Sequence, residues 1–437
     1  MSAIENILGM LPDRVSSGKQ DQIFTPPHIA KEMVNALPED VWNRHTTFFD
    51  PICKSGIFLY EIYGKLMESE DLIKAFPDKQ SRSEHILKNQ LFGIAVDQLC
   101  QLMTIRTVYG NVGLDNNIIL LRNYTDVMRN IDKRFLLDTL QKEFGIMKFD
   151  IVIGNPPYSK GMDLDFVDLG YKLSSNITAM ITPAKWQTAE AEQAIISKNT
   201  NYGKFREQYV PHMKHICFYP DCIDIFCIGQ ADGITWYIMD KNIYENCTIE
   251  NKCIKQTYFN STQSRNIRNR ASLHNIGDEI VKYLGEYEKF KFMTDTCDKK
   301  YQVWTNSQVT VSSGPEAGRY LLSKGEGNFQ VISLSRIVDT SKGEKPTTGA
   351  SQLTFASNDR KECENFISWL NCKFTRFFVA INISKLTGIL TDDCFRFVPA
   401  PPSGKFDHIY TDEELYKAFN LPQKYIDVIE AVIKERK

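Results

Sequence analysis

The chain lacks the patterns that would assign it to an oxidising compartment or a membrane. Its 11 cysteines include no C-x-x-C pair, so reduced and mostly buried thiols are expected. No apolar run is long enough to cross a bilayer. The first residues have neither a basic segment nor an apolar core, so no signal peptide is expected. These absences predict a cytoplasmic protein with no membrane partner.

A metal-binding pattern and an excess of positive charge are lacking too. The cysteines that lie closest together are Cys217, Cys222, Cys227, Cys247 and Cys253. Their spacing fits no standard zinc site, so no resident metal is predicted, with zinc kept as the alternative. Because the formal net charge is -2, a nucleic acid could be held only by a local basic patch.

What the chain does have is a regular alternation of two patterns up to about residue 240. Strand-like apolar runs occupy residues 47–49, 91–96, 118–121, 149–153, 177–181 and 234–239. Helical stretches occupy residues 56–67, 98–109, 131–144 and 166–173. This order predicts an α/β fold with a mostly parallel sheet and helices on both faces. Ligands bind beyond the carboxyl ends of the strands in such sheets.

The pattern changes after about residue 245, where polar and turn-rich segments begin. The 437 residues suffice for two domains, and we predict a boundary between residues 245 and 246. One long amphipathic helix is expected over residues 359–380. Two further helices are expected near the C-terminus, the first starting at a capping box that begins with Thr411.

The most informative motif is Asn155-Pro156-Pro157-Tyr158, which follows the apolar run 149–154. Two prolines cannot continue a central strand, so the backbone leaves the sheet there in one rigid shape. The Asn oxygen and a proline carbonyl can accept hydrogen bonds from an amino group, and the Tyr ring can stack on a flat ligand. An ordinary strand end with turn prolines and a core tyrosine is the alternative.

Acidic residues follow the other strand-like runs. The segment from Asp50 and Pro51 through Cys53 to Gly56 joins a strand to a helix. Its single glycine and its acid suit a ligand ammonium group better than a phosphate. Asp97 could accept hydrogen bonds from ribose hydroxyls, or cap the next helix, or do both. Asp126 follows the third run and could reach an adenine amino group.

Taken together and in this order, these segments resemble the gamma class of adenine-N6 DNA methyltransferases of restriction–modification systems, which use S-adenosylmethionine. The resemblance begins at Thr25-Pro26-Pro27 and is most specific over residues 22–240. It implies a Rossmann-like methyltransferase domain with a mixed, mostly parallel seven-stranded sheet over residues 1–245. It also implies a C-terminal α+β domain for target recognition over residues 246–437.

The resemblance also implies roles for the cofactor-site residues. Thr25 and Pro27 would contact the carboxylate end of the cofactor, Pro26 belongs to the same cofactor-binding segment, and Asp50 would bind the amino group. The loop through Pro51, Cys53 and Gly56 would surround the methionine part, Asp97 would bind the ribose and Asp126 the adenine. One departure is Lys54, because the loop of that family usually carries a glycine at this position.

At the catalytic motif, Asn155 and the Pro156 carbonyl would bind the target amino group, Pro157 would hold the turn, and Tyr158 would stack on the base. The base has to be flipped out of duplex DNA to react. The sequence has no Pro-Cys dipeptide, which disfavours methylation of a cytosine carbon. A candidate DNA-contacting stretch contains Lys255, Arg265, Arg268 and Arg270, with a solvated loop as the alternative.

Three other functions stay open at this point. An RNA amino-methyltransferase or a protein-glutamine methyltransferase could use a similar motif, but neither explains the large C-terminal region. A DNA-recognition subunit with an impaired cofactor site is the non-enzymatic alternative, and Lys54 is its support. The sequence ahead of the motifs shows no nuclease pattern, so any cleavage would come from a separate or missing part, such as a restriction subunit.

Overall fold

The computed structural model of the chain describes residues 23–110, 115–122, 133–158, 161–187, 201–219, 222–227, 233–242, 246–252, 261–265, 275–291, 298–306, 335–345, 351–380, 395–433 and 435. These residues form two sheets, a large one towards the N-terminus and a small one towards the C-terminus. Among them, no helix has the length and apolarity that a membrane crossing requires.

Each predicted run overlaps a strand of the large sheet. Its strands are β1 (Phe48–Cys53), β2 (Leu91–Ala95), β3 (Ile118–Leu120), β4 (Phe149–Gly154), β5 (Ser174–Pro183), β6 (Met213–Tyr219), β7 (Ile234–Asp240), β8 (Cys247–Asn251) and β9 (Ser261–Arg265). Their order is β3-β2-β1-β4-β5-β7-β6-β8-β9. The five strands from β3 to β5 are parallel, and β7 runs antiparallel to both of its neighbours.

This strand order confirms the predicted mixed, mostly parallel α/β fold. The six predicted runs overlap β1–β5 and β7, and the sheet has nine strands where the resemblance implies seven, because β8 and β9, which the sequence did not predict, extend it. β6 was not predicted as a run either. The proposed domain boundary at residues 245 and 246 stays a prediction, with β8 and β9 on its C-terminal side.

Helices cover the two faces of this sheet. Those of the N-terminal half are α1 (Pro27–Asn35), α2 (Ile57–Glu68), α3 (Glu70–Ala75), α4 (Lys79–Asn89), α5 (Gln98–Tyr109), α6 (Lys133–Phe144), α7 (Met162–Leu173), α8 (Asn201–Tyr209) and α9 (Cys222–Phe226). Successive residues of a strand point to opposite faces, so Phe48 joins the core under α1, α2 and α5, while Phe49 joins the core under α6, α7 and α8. Every residue of β1, β2 and β7 is buried, as expected for strands covered on both sides.

The small sheet lies among the C-terminal helices. Its strands and helices are β10 (Tyr301–Asn306), β11 (Ser335–Asp339), β12 (Ser351–Ser357), α10 (Asn275–Leu284), α11 (Arg360–Asn371), α12 (Lys373–Ala380), α13 (Asp412–Ala418) and α14 (Gln423–Val432). The three strands are antiparallel in the order β11-β10-β12. An aromatic core that includes Phe366, Trp369 and Phe377 holds these elements together.

The prediction of a single helix over residues 359–380 is wrong, because the segment forms two helices, α11 and α12, that meet at Cys372. The backbone there is extended, with φ -56° and ψ 141°, and the Phe374 amide donates to an Asp412 carboxylate oxygen at 2.8 Å. A contact from a distant segment therefore satisfies an amide at the start of α12. The expected helix pair near the C-terminus is confirmed, and the Thr411 hydroxyl caps α13 by accepting from the Glu414 amide at 3.3 Å.

Candidate functional site

The site lies at the carboxyl ends of β1 and β4, which are neighbours in the sheet. A pocket opens there, with an empty space of about 220 Å³ that includes open solvent, and Thr25, Asp50, Lys54, Gly56 and Asn155 are among the residues that line it. These residues come from three separate parts of the chain. The parallel sheet brings them together, as the position of the motifs at strand ends predicts.

Asp50 is a buried acid in this pocket, with only 3% of its surface exposed. Its Oδ1 atom accepts from the Ile52 amide at 3.0 Å. Burial raises the pKa of Asp50 to about 7, and the Ile52 amide and the Lys54 charge oppose that rise without cancelling it. A buried carboxyl group in this state is suited to a cationic ligand, because a nearby positive charge would stabilise its ionised form.

The loop after Asp50 is shaped by one glycine and one neighbouring helix. Gly56 has a φ of 75°, and a Cβ atom built on it would lie 2.9 Å from the Thr104 Cα on α5. The Thr104 hydroxyl also donates to the Lys54 carbonyl at 3.3 Å. Only glycine tolerates both the positive φ and the close approach to Thr104 at position 56. Helix α2 begins at the next residue.

Two residues expected in the cofactor loop face elsewhere. Pro51 and Cys53 are buried but are not among the residues that line the pocket. A Cβ atom on Gly93 of β2 would lie 2.3 Å from the Cys53 Sγ, which shows how closely that thiol packs against the neighbouring strand. Burial, followed by the nearby Asp50 charge, raises the pKa of Cys53 well above its ordinary value.

Asp97 follows β2 and caps α5, one of the two roles the sequence left open. Its Oδ1 atom accepts from the Cys100 amide at 2.7 Å. The side chain is half-buried. The cap orients the carboxylate at the end of β2, next to the end of β1.

The catalytic motif leaves β4 at Gly154 and places Asn155 in the pocket. Asn155 is 3% exposed, and its Nδ2 donates to the Thr25 hydroxyl at 3.0 Å and to the Ile23 carbonyl at 3.4 Å. Its Oδ1 accepts from the Tyr158 hydroxyl at 2.8 Å. These contacts give the amide one orientation, with its donor side towards the segment before α1 and its acceptor side towards Tyr158.

The turn residues around Asn155 lie outside the sheet, as the two prolines predict. Pro156 and Pro157 are buried in irregular backbone, and Tyr158 is half-buried. Burial raises the pKa of Tyr158 well above its ordinary value, so its hydroxyl stays a donor. Pro26 and Pro27 are half-buried beside Thr25, with Pro27 as the first residue of α1.

One acid near this site was not singled out in the sequence. Asp163 lies in the first turn of α7 and is 4% exposed. Burial raises its pKa to about 7, and its charge contributes to the raised pKa of Tyr158. Its position five residues after the motif was the available signal, but an acid in a first helical turn is common because it interacts favourably with the helix dipole.

Several predicted residues fall outside the described residues. They are Asp126, Lys255, Arg268 and Arg270. Arg265 is the last residue of β9, in register with Cys247 of β8. Their proposed contacts with cofactor or DNA therefore stay predictions.

One group of possible metal ligands occurs among the described residues, and it is not the set of cysteines considered from the sequence. Ligand atoms of Glu32, Cys217 and Glu250 lie within 4.8 Å of one another. The Lys252 ammonium is ion-paired with Glu32 and lies 3.6 Å from Glu250. Because a lysine already supplies the positive charge between the two acids, this cluster is explained as an ion-pair network.

A mostly parallel sheet, with a buried acid in its first strand and an Asn-Pro-Pro-Tyr turn after its fourth, is the arrangement that the resemblance to methyltransferases predicts. The sequence profile of the family described as Eco57I restriction-modification methylase matches residues 89–165. That segment runs from the last residue of α4 through β2 and the motif to the first turn of α7. The match confirms the predicted resemblance to restriction–modification methylases, whereas the gamma-class assignment stays a prediction.

A curated relative and two solved structures are also similar to this chain. A Mycoplasma pneumoniae protein described as an uncharacterized adenine-specific methylase is 27% identical over 319 residues, which are 57% of this chain and 73% of that protein. A modification subunit assigned to a type I restriction enzyme of Vibrio vulnificus YJ016 is 13% identical, with a TM-score of 0.40 over 82% of this chain. The EcoKI M protein of a type I restriction enzyme is 14% identical, with a TM-score of 0.38 over 53% of this chain. The chain spans 63% and 48% of those two solved chains, less than two thirds of either.

Proposed function

We propose that this chain transfers a methyl group from S-adenosylmethionine to the exocyclic N6 of an adenine in duplex DNA, as the modification component of a restriction–modification system. The observation that carries the proposal is the fixed Asn155 amide beside buried Asp50 at neighbouring strand ends. The family match over this segment and the name of the Mycoplasma relative support it.

The residues of the pocket fit the amino-acid end of this cofactor. Asp50 is a buried carboxyl whose raised pKa reflects an environment that lacks enough positive charge to stabilise its ionised form. An ammonium group would supply that charge. S-Adenosylmethionine, when bound, supplies an electrophilic methyl group on a sulfonium centre. Asp97 and Asp126 are proposed to hold its ribose and adenine, and the residues from Thr25 to Pro27 its carboxylate end.

The target amino group is proposed to bind to the acceptors of the motif. Thr25 and the Ile23 carbonyl hold the Nδ2 side of Asn155, so Oδ1 is the atom left to face the substrate. The Tyr158 hydroxyl occupies that oxygen at 2.8 Å and has to release it, or share it, when an adenine amino group binds. The Pro156 carbonyl provides the second acceptor.

Two fixed acceptors favour the reaction because they stabilise positive charge on the nitrogen as it attacks the methyl group. Once the Tyr158 hydroxyl has released or shared the Asn155 Oδ1, the orientation of the acceptors is set, so little further reorganisation is required during the reaction. A flipped-out adenine would stack on the ring of Tyr158. We assign sequence choice to residues 246–437, including Lys255, Arg265, Arg268 and Arg270, and any cleavage to a separate restriction subunit.

The test is transfer of labelled methyl from S-adenosylmethionine to mixed-sequence duplex DNA. Wild type is expected to label N6-methyladenine, and Asn155→Ala is expected to lose at least about 10²-fold in rate, the usual effect of removing one such group. Asn89→Ala is the matched control, because Asn89 is exposed on α4 and distant in sequence from the motif. Label on RNA or protein instead of DNA, or equal rates for both variants, would refute the proposal.

A further inference from the structure

Lys54 is a lysine buried inside the proposed cofactor loop, and the inference that follows rests on the proposed function. Its side chain lines the pocket with only 7% of the residue exposed. Its Nζ donates to the Ile23 carbonyl at 2.8 Å. The side chain therefore folds across the pocket towards the segment before α1 instead of pointing to solvent.

The main chain at Lys54 is held independently of that side chain. The Thr104 hydroxyl of α5 donates to the Lys54 carbonyl, and Thr104 is fully buried. Gly56, two residues on, is pressed against the same threonine. The backbone can consequently keep its shape while the ammonium group changes partners.

Among the described residues that line the pocket, Lys54 is the positive group and Asp50 the negative one, and the two interact. The Lys54 charge lowers the pKa of Asp50 against the larger effect of burial. A free α-amino acid end carries an ammonium and a carboxylate on one carbon atom. Asp50 complements the ammonium, so a second group of opposite charge in the same pocket complements the carboxylate.

The carbonyl that accepts a hydrogen bond from Lys54 lies where the carboxylate of the cofactor is expected. The Ile23 carbonyl also accepts from Asn155, and Thr25 lies two residues further on. The Thr25 hydroxyl accepts from Asn155, so its own hydrogen can be donated to a ligand oxygen. An ammonium group has three N–H donors, and exchanging one of its partners for a ligand carboxylate would leave the contact with the Ile23 carbonyl in place.

From this geometry we infer that Lys54 binds the carboxylate of the methyl donor, together with the Thr25 hydroxyl, as a cofactor-specificity residue of this chain. The lysine that replaces the usual glycine is then a gain of a charged contact, not an obstruction. The contact also links the cofactor loop to the catalytic amide, because Lys54 and Asn155 share the Ile23 carbonyl.

The experiment compares the binding of two ligands by calorimetry, without DNA and without turnover. One ligand is S-adenosylmethionine and the other is its decarboxylated analogue, which keeps the amine and the sulfonium. Lys54→Met is expected to bind S-adenosylmethionine about 10- to 100-fold more weakly than wild type, the effect of losing one charged hydrogen bond. Its affinity for the decarboxylated analogue is expected to stay within about twofold.

Two further variants separate charge from structure. Lys54→Gln keeps a donor for the Ile23 carbonyl but has no charge. It is expected to distinguish S-adenosylmethionine from the decarboxylated analogue as poorly as Lys54→Met does. Lys74→Met is the matched control, because Lys74 is exposed on α3. Equal weakening of both ligands by Lys54→Met would show a structural clamp and overturn the inference, as would wild-type affinity in Lys54→Gln.

A third outcome concerns the direction of the effect. Tighter binding of S-adenosylmethionine by Lys54→Gly would show that the side chain obstructs the site, and it would also overturn the inference. If wild type binds neither ligand, the proposed function fails and the inference fails with it. If wild type binds both and only the Lys54 variants behave unexpectedly, the proposed function stands.

Discussion

Replacing Asp50 by Asn should change how the stability of the ligand-free protein depends on pH. Asp50 is 3% exposed, and burial raises its pKa from an ordinary value of 3.8 to about 7. The folded protein therefore binds this proton more tightly than the unfolded chain does. As pH rises from about 4 to about 7, the free energy of unfolding falls, and the loss is complete above the folded pKa.

The magnitude follows from the difference between the two pKa values. A rise from 3.8 to about 7 corresponds to a loss of about 4 kcal/mol at pH 8, an upper limit because the unfolded chain is not fully solvated. Asn cannot ionise, so the Asp50→Asn variant avoids this loss. Its stability advantage over wild type should grow by about 3 kcal/mol between pH 5 and pH 8.

The assay is unfolding by urea at several pH values, with wild type and variant side by side. Asp163, whose pKa is also raised to about 7, is present in both proteins, so its contribution cancels in the difference. Asp115→Asn, at an exposed position, is the matched control for removing a carboxylate. A stability difference between Asp50→Asn and wild type that does not change with pH would refute the reasoning. The same variant should bind S-adenosylmethionine more weakly, because the ammonium partner is lost.

Three further changes test the geometry of the site. Gly56→Ala should lower the free energy of unfolding by about 3 kcal/mol, because of its φ of 75° and its 2.9 Å approach to Thr104; an unchanged urea midpoint would contradict this. Thr25→Val leaves the Asn155 Nδ2 without its hydroxyl acceptor and should slow methyl transfer about tenfold in single-turnover assays, whereas wild-type rates would exclude this role. Tyr158→Phe should keep the rate of methyl transfer within about fivefold of wild type, because the stacking ring remains. Tyr158→Ala should lower that rate about 10²-fold, and equal rates for the two variants would rule out stacking.

Much of the large sheet could be predicted from the sequence, because its central strands are buried on both faces and read as continuous apolar runs. Predicted runs overlap four of these strands, β1, β2, β4 and β7. The strands β8 and β9, of which β9 is an edge of the sheet, could not be predicted in this way. β9 consists of Ser261–Arg265 and contains no apolar residue, so only its pairing with β8 makes it a strand.

The candidate site was predictable to the same extent. A proline pair after an apolar run, a lone glycine after an acid, and the order of these motifs are local features, and the carboxyl ends of adjacent parallel strands meet wherever such strands form. The sequence by itself therefore determined which strand ends carry Asp50 and Asn155. It could not show that Asp97 caps α5, or that Cys53 packs against Gly93 away from the pocket.

Only the tertiary structure decided how the site is held together. Thr25 and Asn155 are 130 residues apart, yet their hydrogen bond sets the orientation of the amide. Lys54 reaches the Ile23 carbonyl across 31 residues, and Asp412 helps to divide a predicted helix at Cys372. Local sequence encodes the torsional preferences and the burial of a segment, whereas a hydrogen bond between distant segments depends on where the whole chain places both partners.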